Sequence, residues 1–156
     1  MEIGFARLHG RSGHDAGREL LKEMYERRTG KALPAVCVTS RGKPYFPDSP
    51  HYFSISHTKR RAVCALSDKP VGVDVEETDR QIDLRLADKI LSPAELRRYE
   101  TAEDKRLALL RLWVLKEAYA KLTGRGWGSY LYKTDFDPCD PRITETDGCL
   151  VAVIEE

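Results

Sequence analysis

The chain has 156 residues, with 26 Lys and Arg against 25 Asp and Glu, a formal net charge of +1 and a 41% hydrophobic share. That length suits one domain able to bury roughly two-thirds of its unfolded surface without disulfides, and the charge balance speaks against a nucleic-acid-binding protein. No apolar run reaches the length of a membrane span, and Met1 to Arg7 lacks a basic region followed by a long apolar core, so the expectation is a cytoplasmic protein with no membrane partner.

Ile3 to Leu8 reads as a short strand, and Asp15 to Arg28 as a helix with Leu20, Leu21, Met24 and Tyr25 on its apolar side, stopped at Thr29-Gly30. Ala35 to Thr39 reads as a strand. Arg41-Gly42-Lys43-Pro44 and Pro47-Asp48-Ser49-Pro50 then punctuate a loop. His51 to His57, Arg61 to Ser67 and Val71 to Glu76 make three successive strands with short connections. Ser92-Pro93-Ala94-Glu95 combines a capping serine, a proline at the first helical position and a glutamate three residues after the cap, which marks a helix start. A longer helix is predicted from about Glu103 to Leu122, with Leu107, Leu110, Val114 and Ala118 as its core stripe and Thr123-Gly124 as its end. Ile143 to Thr146 and Cys149 to Ile154 flank Asp147-Gly148, a strong hairpin signal. The fold class is α+β, one unit over residues 1–156. Cys37, Cys64, Cys139 and Cys149 have no paired spacing and read as reduced, packed thiols, and with the histidines they offer no zinc-like pattern.

Two segments carry the chemistry. In Gly72-Val73-Asp74-Val75-Glu76 the period of two sends the valines to one face and both carboxylates to the other. In the long helix, Trp113, Glu117 and Lys121 are spaced four apart and project together. Either piece alone reads most simply as a solvated sheet face or a surface ion pair. Their order after Gly42-Lys43-Pro44 and Phe53-Ser54-Ile55-Ser56-His57 is much more specific. Three carboxylates and a lysine suit Mg²⁺ holding a pyrophosphate. Lys116, about 100° around the helix from Glu117, is assigned to packing or surface charge.

This ordered set, from about Asp15 to Gly126, resembles the 4'-phosphopantetheinyl transferases, and in particular the surfactin-type branch with two similar halves in one chain. The resemblance implies two helix-plus-antiparallel-sheet halves, approximately 1–68 and 69–156, about a pseudo-two-fold axis with the active site between them. It implies transfer of the phosphopantetheine arm of coenzyme A to a serine of an acyl or peptidyl carrier protein, with Mg²⁺, releasing 3',5'-bisphosphoadenosine. Carried over by position, Asp74, Glu76 and Glu117 match the family's metal ligands, Glu117 also its base, and Lys121 its phosphate-contacting lysine. Ser56 and His57 match residues that bind coenzyme A phosphate, Lys43 and Pro44 the loop holding the adenine nucleotide, and Arg18 a weaker nucleotide contact. Longer relatives carry an additional amino-terminal helix and a basic segment, so some 3'-phosphate contacts are expected to be missing, with Arg11 or Lys59 to Arg61 as electrostatic substitutes.

An apolar surface with positive charge would suit an acidic carrier. Residues 84–106, with Leu91, Leu96 and Tyr99 among Arg85, Lys89, Arg97, Arg98, Lys105 and Arg106, offer either that surface or an ordinary amphipathic helix pair. A catalytically silent carrier-binding protein is the alternative function. A different nucleotide phosphotransferase ranks last, because there is no GxxxxGK[ST] loop. A monomer is expected.

Overall fold

A computed structural model describes residues 1–156. Strand β1 (Glu2–Arg7) leads into helix α1 (Gly13–Thr29), which the Ser12 side chain caps and Gly30 ends at φ 68°. Strands β2 (Cys37–Val38) and β3 (Pro44–Tyr45) pair as a small hairpin, shorter than the strand predicted over 35–39. Then come β4 (Tyr52–His57), β5 (Arg61–Ser67) and β6 (Val71–Glu77), close to their predicted bounds. The helices α2 (Ala87–Ile90), α3 (Pro93–Glu100) and α4 (Lys105–Thr123) follow, then a 3-10 turn at Ser129–Lys133 and the hairpin of β7 (Ile143–Thr146) and β8 (Cys149–Glu155). That hairpin turns on Asp147 and Gly148, both at positive φ, as a two-residue connection requires.

The strands form two three-stranded antiparallel sheets, ordered β1-β5-β4 and β6-β8-β7. Helix α1 covers the first, burying Leu21, Met24 and Tyr25 against Phe53, Cys64 and Leu66. Helix α4 covers the second, where Leu110, Val114 and Ala118 meet Leu150, Ala152 and Ile154. The alternate residues of β5, β6 and β8 gather in a valine-rich cluster shared by both sheets: Val63, Ala65, Val71, Val73, Val75, Cys149 and Val151.

Where β4 of one sheet meets β6 of the other, serine hydroxyls do the joining. The Val73 N–H donates to Ser54 Oγ at 3.0 Å and the Val75 N–H to Ser56 Oγ at 3.4 Å. Hydroxyls two residues apart on β4 thereby satisfy donors of the β6 edge that would otherwise be buried without partners. On its other face β6 lies so close to α4 that a Cβ on Gly72 would stand 2.0 Å from the Ala118 carbonyl oxygen. Glycine there lets the helix settle onto the strand.

Three expectations are corrected. Lys116 is packed in the core and not a surface charge: it is fully buried, its Nζ 2.8 Å from Glu95 Oε2 and donating to the Leu131 carbonyl at 2.7 Å. Leu91 and Tyr99 belong to the core under α4, so much of the apolar content of 84–106 faces inward, as on any helix that covers a core. Cys139 is exposed, whereas Cys64 and Cys149 are packed as predicted, and burial pushes the Cys64 thiol up to about 12. No helix is long and apolar enough to cross a membrane.

Candidate active site

Strand β6 and helix α4 bring Asp74, Glu76, Glu117 and Lys121 together at the seam between the sheets. Asp74, nearly buried, accepts on Oδ1 from Ser56 Oγ at 2.7 Å and from Lys121 Nζ at 2.7 Å, and Lys121 also donates to Ser56 Oγ at 2.8 Å. Glu76 accepts on Oε1 from the Trp113 indole N–H at 3.0 Å and from Arg80. Glu117 accepts on Oε1 from the Trp127 indole N–H at 2.7 Å.

The three carboxylates share a pattern. Internal donors take one oxygen of each, Oδ1 of Asp74 and Oε1 of both glutamates, and the second oxygen has no protein partner. For Asp74 that second oxygen, Oδ2, is fully buried. A buried carboxylate oxygen without a donor is costly, and native proteins keep few of them. Burial pushes the carboxyls of Glu76 and Glu117 above the usual range, and the neighbouring Asp74 charge pushes both the same way. As the side chains stand, no three His, Cys, Asp or Glu residues are close enough to hold a metal ion. Each carboxylate is turned toward its own donor.

Two concavities open among these residues, and Asp74 itself lines neither. One, of about 260 Å³, is lined by Lys43, Pro44, Ile55, Glu117, Lys121 and Trp127 among others. The other is a wider groove of about 660 Å³ that includes His57, Lys59, Glu76 and Arg80. Lys43, whose ammonium donates to the Leu122 carbonyl at the end of α4, has its pKa lowered by burial. Pro44 opens β3 beside it. His57 is exposed at the end of β4, and its ring lies where a Cβ on Gly13, at the start of α1, would fall, 2.5 Å from Nδ1. Arg18 is part-exposed on α1. Of the substitutes suggested for missing basic residues, three are engaged, Arg11 with Glu19, Arg60 with Glu77 and Asp79, and Arg61 with Asp147, whereas Lys59 lines the wider groove beside His57.

The sequence model of the 4'-phosphopantetheinyl transferase superfamily matches residues 70–153, more than half of the chain. The chain belongs to that superfamily. Asp74, Glu76, Glu117 and Lys121 fall inside the matched segment, while Arg18, Lys43, Pro44, Ser56 and His57 precede it. Among curated relatives, the 4'-phosphopantetheinyl transferase psf-1 of Bacillus pumilus is 35% identical over 116 residues, which is 70% of this chain and 47% of that one. The transferase Sfp of Bacillus subtilis is 34% identical over 88 residues, 54% of this chain and 39% of its own length. HetI of a Nostoc species is 38% identical over 95 residues, 56% and 40%. The chain therefore spans less than half the length of these relatives.

Three residues of this superfamily member were not singled out from its sequence. Trp127, in a glycine-rich loop after α4, holds Glu117. Arg80, four residues after Glu76, pairs with it and lies over the Trp113 ring at 5.2 Å from the centroid. Gly72 sets the strand-to-helix distance. Only Gly72 carries a readable signal, as a lone glycine interrupting a valine strand.

Proposed function

We propose that this phosphopantetheinyl transferase superfamily member transfers the 4'-phosphopantetheine arm of coenzyme A to a serine of an acyl or peptidyl carrier protein. The observation that carries this reading is the set of three carboxylates at one seam, each with one oxygen held internally and the other without a partner. Such donors fit a hard divalent cation, and Mg²⁺ commonly takes a few carboxylates together with substrate phosphates and water. Asp74, Glu76 and Glu117 would hold it, and when bound it would neutralise charge on the pyrophosphate.

In this reading the carrier serine oxygen bonds to the phosphorus bearing the pantetheine arm. The bond from that phosphorus to the bridging oxygen breaks, and 3',5'-bisphosphoadenosine leaves with that oxygen. Glu117 accepts the serine proton directly or through a water. Lys121, drawn from Asp74 toward the substrate, stabilises charge on the leaving phosphate. The cleft at Lys43 and Pro44 takes the adenine nucleotide, with Arg18 on α1 as a weaker contact to it, and His57 binds its 3'-phosphate. Ser56 sets the rotamer of Asp74 and contacts coenzyme A phosphate through the hydroxyl it now shares with Lys121. Two halves about a pseudo-two-fold axis, a monomer and a cytoplasmic location belong to the same reading.

The test is the intact mass of an apo carrier protein incubated with this chain, coenzyme A and Mg²⁺. A phosphopantetheine-sized increment on the carrier is expected. Coenzyme A bound and the carrier recognised, but no mass gain, would favour the catalytically silent carrier-binding alternative.

A further inference from the structure

Glu76 and Glu117 are presented by two different indoles, and those indoles touch each other. Trp113 and Trp127 stack with ring centroids 5.0 Å apart and planes 27° from parallel. Trp113 gives its N–H to Glu76 and Trp127 gives its N–H to Glu117, each on Oε1. Trp113 is anchored in α4 and packed against the core. Trp127 sits on a loop whose Gly124 and Gly126 have positive φ, is 41% exposed and forms part of the cleft wall with Lys43 and Pro44.

We propose that Trp127 is a positioning residue that ties the nucleotide cleft to the cation site: its N–H fixes the Glu117 carboxylate with one oxygen free for the metal. The inference rests on the function proposed above and adds a residue to it. An outer donor that fixes one carboxylate oxygen orients the other and removes rotamer freedom that metal binding would otherwise have to remove. Stacking on Trp113 holds the indole plane while the glycines let the loop follow a ligand in the cleft. A molecule lying against Trp127 then stiffens Glu117. This contact adds to the positive cooperativity that coenzyme and cation already have through the pyrophosphate, and by linkage each tightens the other by the same factor.

The test is calorimetric titration of Mg²⁺ into the protein with and without saturating coenzyme A, for the wild type and Trp127→Phe, which keeps a ring on Trp113 but removes the N–H. In the wild type, Mg²⁺ should bind more tightly with the coenzyme present. In the variant, Mg²⁺ affinity in the presence of coenzyme should fall about 10- to 100-fold, the range for loss of an outer donor. Coenzyme affinity measured without Mg²⁺ should change far less. In turnover assays the Mg²⁺ concentration for half-maximal rate should rise by a similar factor, and the deficit should shrink as Mg²⁺ is raised, which damage to the fold would not allow. Trp127 is exposed on a loop, and matching thermal midpoints of the two proteins would confirm an intact fold. Equal Mg²⁺ affinity in both proteins overturns the role of Trp127 and leaves the metal assignment standing. A wild type that takes up no Mg²⁺ with coenzyme bound overturns both.

Discussion

Helix α4 carries two lysines paired with carboxylates, little more than a turn apart, and the two pairs differ in completeness. Lys116 and Glu95 are both fully buried and both saturated: Glu95 accepts from Lys116, from the Ser92 N–H at 2.8 Å and from the Phe136 N–H at 2.9 Å, while Lys116 also donates to backbone carbonyls. Lys121 and Asp74 are as close, 2.7 Å, but Lys121 is one-third exposed and Asp74 keeps a buried oxygen that nothing satisfies. The first pair is closed and holds the cap of α3, the 129–136 segment and α4 in one arrangement. The second has an opening, which is where chemistry can enter. Ionic pairing alone does not mark a site; in Asp74 the unpartnered oxygen lies beside two further carboxylates, as the isolated buried oxygen of Glu77 does not.

The harshest way to break the comparison is to remove one partner of the closed pair. Lys116→Met leaves Glu95 charged and unpaired in the core, and the cost should be about 3–5 kcal/mol of stability. Urea denaturation of the variant measures it directly, and a loss under 1 kcal/mol would mean that the pair is not the fixture its geometry indicates.

In the open pair the balance should invert. Asp74→Ala removes a proposed metal ligand together with its unsatisfied oxygen, so the transfer rate should fall by about 10²–10³ while the unfolding midpoint stays near that of the wild type. Near-normal turnover at limiting Mg²⁺ would remove Asp74 from the site.

Next in size is the outer edge of the same site. His57→Ala should weaken coenzyme A binding by about ten- to a hundred-fold, the worth of one charge-assisted phosphate contact. On 3'-dephospho-coenzyme A, which lacks the group His57 is proposed to meet, the loss should be much smaller. Equal losses on both would return His57 to its packing against Gly13.

The smallest effect belongs to a third pair, in which Asp140 is buried and Arg142 is half-exposed. Arg142 grips both oxygens of Asp140 through its side chain, and this, with help from the Arg142 backbone N–H, holds the Asp140 carboxyl below the usual range. A depressed carboxyl adds stability above its unfolded pKa, and that stability is lost as pH falls through the folded value. Asp140→Asn should therefore cost about 1 kcal/mol at neutral pH, and the charge-dependent part of that difference should vanish once wild-type Asp140 is protonated. Thermal melts of both proteins from pH 7 down to pH 2 would show the two curves converging.

Much of this was legible in the chain because the signals are local. Ser92 and Glu95 form the capping box that their spacing predicts, Gly124 ends α4 at φ 65°, and Asp147-Gly148 turns the hairpin. The period of the valines aims Asp74 and Glu76 at α4, and fourfold spacing brings Glu117 and Lys121 to meet them. What escaped depends on partners distant in sequence. Glu95 reads as a capping residue, and nothing nearby reveals that Lys116 will complete its other contacts. Leu91 and Tyr99 fit a docking face as well as a core until α4 is seen to cover them. Trp127 looks like an aromatic in a loop, since its use depends on where Glu117 and Trp113 end up.

The strand order of the second sheet has a consequence for how the protein is made. Strand β6, which carries Asp74 and Glu76, has β8 as its only ladder partner, and β8 lies between β6 and β7. Its seven paired positions join residues 71–77 to residues 149–155. On the ribosome the first sheet, complete by Ser67, can close early, whereas the carboxylate strand stays unpaired until residues 149–155 clear the exit tunnel. Until then the β6 valines can pack only on Val63 and Ala65 of the first sheet, and the second sheet, with the acidic strand at its edge, waits on β8.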